Sequence, residues 1–451
     1  MVDLIVLILI VAGIVLVTAR WKLSPFLALL AAAFVGAFAF RLPLEEIIPT
    51  ITESFGKTMG NIGLVILFGT MIGVILERSG AAIAMADALI KLIGTRFPTL
   101  TMSVIGYIVS IPVFCDSGFV ILNSLKKAIA NRAKVSLVAM SIALMTGLYA
   151  THTLVPPTPG PLAAAANLEV TDSLGLLIGL GLIVAAVSAG AALLFANRFL
   201  KKDIELLPLP DEETEASYEE LKAQYGTLPN AFAAFLPILV PIALICLSSI
   251  AKLPALPFGE GLVALTVNFL GTPVIALALG LIAAVFLLRG TGKLVAFNEQ
   301  IRDAIVIAAP ILMITAAGAA FGGVLGKSSI TTFLSENLAT LGLGIAVPFL
   351  ISAALKTAQG SSTVAMVTTS AMLLPLLPAL GLGSTTGAVL AVLAIGAGAM
   401  VVSHANDSFF WVVSQFSRIP TATAYRTLTP ATAIQGVSAF AAIWVLSLFL
   451  L

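Results

Sequence analysis

The chain has 451 residues, of which 59% are hydrophobic and 10% charged, with 37 glycines and a formal charge of +1. A water-soluble domain carries about 25% charged residues, so the composition excludes a soluble enzyme, a nucleic-acid-binding protein and a secreted disulfide scaffold. Cys115 and Cys246 stand alone, with no CxxC pattern for a redox or metal site. Long apolar runs with sparse charge are what a lipid-solvated chain requires, and they define an all-α polytopic membrane protein.

Residues 1–18 lack a basic leading region, and their first positive charges, Arg20 and Lys22, follow the apolar run. A second run begins at once at Leu23, so this segment reads as a transmembrane helix and not as a cleaved signal. Windows of about 20 residues, enough for roughly 30 Å of hydrocarbon, recur along the chain. They give ten crossings, at 2–19, 23–40, 59–76, 135–165, 173–197, 231–250, 262–288, 303–326, 385–417 and 431–451. Two of these, 135–165 and 385–417, are interrupted. The stretches 99–125 and 345–380 carry breaks at Pro112–Gly118 and Lys356–Thr363. Each remaining arm is about 12 to 17 residues, too short to cross, so both stretches read as re-entrant hairpins.

Charge placement supports this count. With the N-terminus outside, 18 of the 23 Lys and Arg residues fall in inside segments and 4 outside, and Lys356 sits within the second hairpin. Treating either hairpin as a full crossing inverts every later loop and destroys the bias. Both termini are therefore expected outside.

The expected organisation is N-terminal transmembrane helices over 1–52, a first repeat over 53–199, a solvated cytoplasmic linker over 200–230, connecting helices over 231–298 and a second repeat over 299–451. The linker carries the acidic run Asp211–Glu215 and has the composition of a hydrated connection with a short helix. The repeat rests on matched landmarks. Gly73-Val-Ile-Leu-Glu-Arg-Ser79 and Gly323-Val-Leu-Gly-Lys-Ser-Ser329 lie 250 residues apart, and an amphipathic segment follows each, at 81–94 and 330–342. Hairpin tips at Ser117 and Ser361 are 244 apart, and His152 and His404, the two histidines, are 252 apart at the two helix breaks. Five crossings separate the copies, and an odd number makes the repeat inverted.

Inverted repeats with broken helices characterise transporters, because the breaks expose backbone N–H and C=O groups to a ligand at the midplane. The first break, Ala150–Pro161, places four prolines within six residues, and no helix continues through them. The second spans Ser403–Ser408.

An ionised acid at membrane depth needs a partner, water or a proton. Asp116 and Asp407 are thus candidate proton carriers, as are His152 and His404, although a histidine in such a place is often only a satisfied hydrogen bonder. Neither histidine has the neighbours of a metal ligand set. Lys356 either attracts an anionic substrate or snorkels to the outer interface. Hydroxyls and backbone at Ser117, Gly118, Thr151, Thr153 and Thr158 in one half, and at Gly360, Ser361, Ser362, Thr363 and Asn406 in the other, are candidate carboxylate and hydroxyl ligands. The GxxxG pairs Gly69/Gly73, Gly175/Gly179 and Gly318/Gly322 read as close helix packing. The stretch Gly322–Lys327 lacks Walker spacing, which excludes ATP-driven pumping.

Pro112-Val-Phe-Cys-Asp-Ser-Gly-Phe-Val120, His152–Pro161, Ala358-Gln-Gly-Ser-Ser-Thr-Val-Ala365 and Ser403-His-Ala-Asn-Asp-Ser-Phe-Phe-Trp411 resemble the signature segments of the gluconate permease family of bacterial inner-membrane symporters. The resemblance covers nearly the whole chain. It implies membership of the ion-transporter superfamily, with a scaffold, a mobile transport domain and an elevator motion. It also implies a homodimer and import of gluconate or a related sugar acid with protons, without cofactor or nucleic acid. Lys356 stands where many relatives are expected to carry arginine, and Ser361-Ser362-Thr363 where Ser-Ala-Thr is common. The family also includes carriers of D-serine and other hydroxylated acids. Other readings are sodium coupling through hairpin hydroxyls and carbonyls, an intramembrane hydrolase using Ser403 beside His404, and a passive channel.

Overall fold

The computed structural model describes residues 2–21, 23–202, 204–207, 218–252, 257–259, 261–290, 294–328, 344–405 and 407–451. Their regular structure is helical throughout, with no strand among the described residues, and a helix satisfies its backbone groups internally as lipid demands.

Helices α1 (Val2–Ala19) and α2 (Pro25–Ala39) pack on each other. Helix α3 (Leu44–Ser79) has 36 residues and starts well before the crossing expected at 59. It bends by 44° between Asn61 and Gly63. Its N-terminal half carries Glu45, Glu46, Glu53 and Lys57, charges that hid it from a hydropathy window; the domain boundary expected at residue 52 falls inside it. After the left-handed Gly80 (φ 84°) comes the amphipathic α4 (Ala81–Ile93). The counterpart expected at 330–342 lies outside the described residues.

Helices α5 (Pro98–Val109) and α6 (Cys115–Ala133) form the arms of the first hairpin about a turn at 110–114. Helices α7 (Leu137–Leu154) and α8 (Pro159–Asn167) follow, and their most apolar stretch is buried throughout. Helix α9 (Leu174–Ala196) backs onto α7. In the linker, α10 (Tyr218–Gln224) is held to α4 by Lys222 Nζ, 2.9 Å from Asp87 Oδ2.

Helix α11 (Ala231–Ala251) precedes α12 (Leu262–Leu270) and α13 (Pro273–Gly290). The last two meet at 67° where one straight crossing, 262–288, was expected. Gly271 ends α12 against the Ser248 side chain of α11, and Pro273 opens a new helix, as its ring permits only in a first turn. Helix α14 (Phe297–Lys327) packs on α2 and α3. Helices α15 (Ala346–Gln359) and α16 (Ser362–Leu373) are the arms of the second hairpin, and α17 (Thr385–Gly398), α18 (Ser408–Phe416) and α19 (Thr421–Leu450) complete the chain.

By length and composition, five described helices suffice to cross a membrane, or seven if each of two bent pairs is one span. Several expected crossings coincide with shorter helices, such as α2 with 15 residues and α17 with 14, roughly 20 Å each at 1.5 Å per residue.

The two hairpins lock onto the broken helices reciprocally. Helix α6 of the first hairpin packs on α18, which follows the second break, and α16 of the second hairpin packs on α8, which follows the first. The turn of the first hairpin and the first break also share a seat on α3. A Cβ on Gly73 would stand 2.6 Å from the carbonyl oxygen of Pro112, and one on Gly69 3.0 Å from that of Pro157. Only glycine admits such backbone contact.

Candidate functional site

Local chemistry places the two breaks. Helix α7 runs through Thr151, His152 and Thr153 to Leu154, so the first break occupies Val155–Thr158 and not the wider Ala150–Pro161 expected. Proline disfavours helical geometry in the residue before it, which stops α7 at Val155. Pro159 and Pro161 sit in the first turn of α8, where no N–H is missed. The bond Pro156–Pro157 is cis.

The second break starts earlier than expected, since α17 ends at Gly398 and helix resumes only at Ser408. Its backbone is served by α19: Ser403 N donates to Thr432 Oγ1 at 3.1 Å and Thr429 Oγ1 donates to Ser403 O at 2.7 Å. Buried non-helical backbone needs such partners. In the second hairpin, Gly360 (φ 91°) turns the chain, and Ser361 Oγ caps α16 by accepting from Val364 N at 3.3 Å.

An ion pair lies where these segments meet. Lys356 Nζ is 2.6 Å from Asp407 Oδ2, with 0% and 5% of the side chains exposed. Lys356 also donates to Gly360 O, and its ammonium stands 5.7 Å from the centre of the Tyr149 ring. Asp407 accepts from Ser403 Oγ and, through Oδ1, from Phe409 N at 3.0 Å, so it caps α18 as well. Lys356 is therefore turned inward to an acid and does not snorkel to an interface.

Asp116, in the first turn of α6, faces the Ser408 hydroxyl and lies within electrostatic reach of Asp407 and Lys356. Its Oδ1 is buried without a hydrogen-bond partner. Lys356 is ion-paired with Asp407, and Asp116 is a second acid beside that pair. His152 is within reach of the same Lys356 and Asp407, packs against Phe114 with ring centres 5.9 Å apart, and has a buried Nδ1 without a partner.

The remaining candidates divide. Thr151, Thr153 and Thr158 donate their hydroxyls to the carbonyls of Tyr107 (2.8 Å), Tyr149 (3.0 Å) and His152 (2.9 Å), which leaves only acceptor lone pairs for a ligand. Ser362 reaches the Tyr149 hydroxyl, and Ser117 reaches Glu77 of α3. Gly118 is closed off by Leu148, whose Cδ2 would lie 2.8 Å from an added Cβ. Thr363 Cα would lie 3.8 Å from a Cβ on Gly160, which puts the starts of α16 and α8 side by side. His404 Nε2 lies 2.9 Å from Thr357 O and must donate there because a carbonyl only accepts. Asn406 lies outside the described residues.

Sequence reasoning missed Tyr149 and Glu77, which carry no motif and become relevant only through packing. Ser403 and Asp407 are joined directly, whereas His404 faces Thr357; a Ser403–His404 nucleophile–base pair is absent.

Residues 2–449 match the family described as GntP family permease. A gluconate permease of Pseudomonas aeruginosa is 31% identical over 446 residues, covering 98% of this chain and 96% of that protein. The D-serine transporter DsdX of Escherichia coli K12 is 33% identical over 445 residues, covering 96% of each chain. Among solved structures, the YdaH transporter of Alcanivorax borkumensis shares the fold with a TM-score of 0.66 at 15% identity, over 94% of this chain and 98% of that one. The chain belongs to the GntP permease family, and is accordingly a multi-pass membrane permease and not an enzyme.

Proposed function

We propose that this permease is a secondary active symporter that imports gluconate or a related hydroxylated monocarboxylate together with protons across a bacterial inner membrane. The carrying observation is the buried Lys356–Asp407 ion pair with a second acid, Asp116, whose Oδ1 is buried without a partner, at the meeting of both hairpins and the second break. A buried acid that gains and loses a proton beside such a pair is the element a coupled carrier needs. Asp116 is the proton carrier, because Asp407 is committed to Lys356, Ser403 and the cap of α18. His152, with its bare Nδ1, and the starts of α8 and α16 form the substrate side of the site.

The reciprocal packing of α6 on α18 and of α16 on α8 supports an inverted repeat, and the placement of Lys and Arg favours the ten-crossing topology with both termini outside. In that arrangement the hairpins and broken helices move as a transport domain along a scaffold containing α3, in an elevator motion within a homodimer. The glycine seats at Gly69 and Gly73 support α3 as the surface travelled.

The test is uptake of labelled gluconate into proteoliposomes under an inward proton gradient, with protonophore and sodium-gradient controls. Accumulation above equilibrium that collapses with protonophore is expected; equilibration without accumulation is the behaviour of a channel and defeats the proposal. Sodium-driven accumulation keeps the fold reading and overturns the proton assignment. D-Serine is the competing substrate, favoured by the 33% identity to DsdX, and preferential D-serine uptake replaces the sugar acid.

A further inference from the structure

Among the described residues two lysines are fully buried, Lys356 and Lys126, both 0% exposed, and the second has no part in the cluster above. Lys126 lies on α6, the hairpin arm that begins beside Asp116. Its Nζ donates at 2.7 Å to the Oγ of Ser417, the residue that ends α18. Ser417 Oγ is 2.8 Å from Ser141 Oγ of α7, and Ser141 Oγ is 2.7 Å from Leu137 O. A hydroxyl has one proton and a carbonyl only accepts, so the direction is fixed: the ammonium donates to Ser417, Ser417 to Ser141 and Ser141 to Leu137 O. This chain clamps α6, α18 and α7 together at one level. The same three helices carry Asp116, the capping Asp407 and His152 about ten residues away, roughly 15 Å at 1.5 Å per residue.

Aromatic rings fill the space between the clamp and the ion pair. The Lys126 ammonium stands 4.6 Å from the centre of the Phe119 ring, and Phe119 meets Phe409 edge-on with centres 6.3 Å apart. Phe409 lies 5.3 Å from the Tyr149 ring, which faces the Lys356 ammonium at 5.7 Å. All three rings are 2% exposed or less. Stiff, close-packed rings transmit a displacement and do not absorb it, so a shift of α6 against α18 at the clamp is felt at the pair.

The other half of the chain has a matching clamp without the charge. Asn167 Nδ2 donates to Ser370 Oγ at 3.0 Å and to Val367 O at 3.2 Å, tying the end of α8 to α16, and its Oδ1 is buried without a partner. Lys126 and Ser370 are 244 residues apart, as the hairpin tips Ser117 and Ser361 are, and Asn167 and Ser417 are 250 apart, as the Gly73 and Gly323 segments are. The ammonium thus distinguishes the clamp on the Asp116 side, and a charge-assisted hydrogen bond holds geometry more firmly than a neutral one.

We infer that Lys126 is a positioning residue for proton coupling: by fixing α6 against α18 and α7 at their shared far end, it holds Asp116 beside the Lys356–Asp407 pair. This rests on the transport reading above, with Asp116 as the proton carrier. The starts of α8 and α16, on the substrate side, lie outside this clamp, so its loss acts on the proton more than on the anion.

The test is the ratio of proton influx to substrate influx in proteoliposomes, read together from an internal pH dye and from labelled gluconate or D-serine, whichever the wild type accumulates. Inactive molecules lower both fluxes equally, so a loss of folded protein leaves the ratio unmoved. Lys126→Met removes the ammonium at similar length and Ser417→Ala removes its acceptor; each is expected to lower the ratio at least twofold. Ser414→Ala takes away another buried hydroxyl of α18, one that donates to Trp411 O at 3.2 Å outside the chain, and should keep the wild-type ratio. If Lys126→Met fails to fold, Ser417→Ala decides. A wild-type ratio in either folded variant, whether or not uptake is slower, makes the clamp structural only and overturns the positioning role. An equal fall in Ser414→Ala overturns it as well. A wild type that accumulates neither substrate, or does so without proton influx, overturns the transport reading and the positioning role with it.

Discussion

Lys356 Nζ and Asp407 Oδ2 stand 2.6 Å apart in a region almost sealed from water, joining the second hairpin to the second helix break. Breaking a buried pair from one side strands a charge at a penalty of about 3–5 kcal/mol, whereas replacing both partners with apolar groups is often close to neutral. Lys356→Met should therefore lower the melting temperature in detergent markedly, and the double variant Lys356→Met/Asp407→Leu should recover most of that loss without recovering uptake. Asp407→Asn retains an N-cap for α18 but strands the buried Lys356 ammonium, and is expected to melt earlier than wild type, to exchange substrate across the membrane and to fail at uphill accumulation. Unchanged uphill uptake in Asp407→Asn would show that proton coupling at Asp116 does not need the Lys356–Asp407 pair beside it.

Asp116 offers a cleaner separation of stability from function. Its Oδ1 is buried and unpartnered, so Asp116→Asn removes a second carboxylate from beside Asp407 and leaves an isosteric amide. The melting temperature should stay level or rise, because burying a neutral amide is less unfavourable than burying a carboxylate. Proton-driven accumulation should be lost at the same time. A variant that is less stable and still concentrates gluconate would contradict the assignment of Asp116 as proton carrier.

The two histidines, equivalent in the sequence, are predicted to behave differently. His152 is buried beside Phe114 with its Nδ1 unpartnered, whereas His404 is partly exposed and donates to Thr357 O. His152→Phe, which keeps the ring and discards both nitrogens, should reduce gluconate uptake at least tenfold in folded protein. His404→Ala removes one hydrogen bond worth about 1 kcal/mol, and its uptake should stay within threefold of wild type. The reverse order in a transport assay of both variants would dismiss the inner-site role of His152.

Local rules explain what could be read beforehand. The prolines at Pro156, Pro157, Pro159 and Pro161 announce a break, and the short arms around Pro112 and Gly360 announce hairpins, because these features depend on backbone chemistry within a few residues. The pairing of Lys356 with Asp407, 51 residues away, depends on the packing of separate helices and leaves no local trace. Charge concealed the first half of α3 from a hydropathy window. The early end of α17 at Gly398 was hidden because Thr429 and Thr432 of α19, distant in sequence, supply the partners for the unwound backbone. The orphan carbonyl of Asn167 arises in the same manner, from contacts to α16 that occupy only its amide protons.

The glycine seats on α3 give a prediction about movement. The GxxxG motif suggested close packing at Gly69/Gly73 and at Gly175/Gly179 alike, but Gly179 has nothing within 4 Å of an added Cβ, whereas at Gly73 the carbonyl oxygen of Pro112 would be 2.6 Å away. Gly179→Ala should be neutral or stabilising by up to about 1 kcal/mol, the helix-propensity advantage of alanine. Gly73→Ala must push the first hairpin off α3, which by analogy with overpacked cores is unfavourable by about 1–3 kcal/mol. If the hairpin also slides past α3 during transport, the same methyl obstructs the path, so turnover should fall at least tenfold while Gly179→Ala transports normally. Thermal unfolding in detergent and initial uptake rates check both. A Gly73→Ala protein that melts early yet turns over at the wild-type rate would show that this seat holds the hairpin without lying on its path, and would move the sliding surface elsewhere on the scaffold.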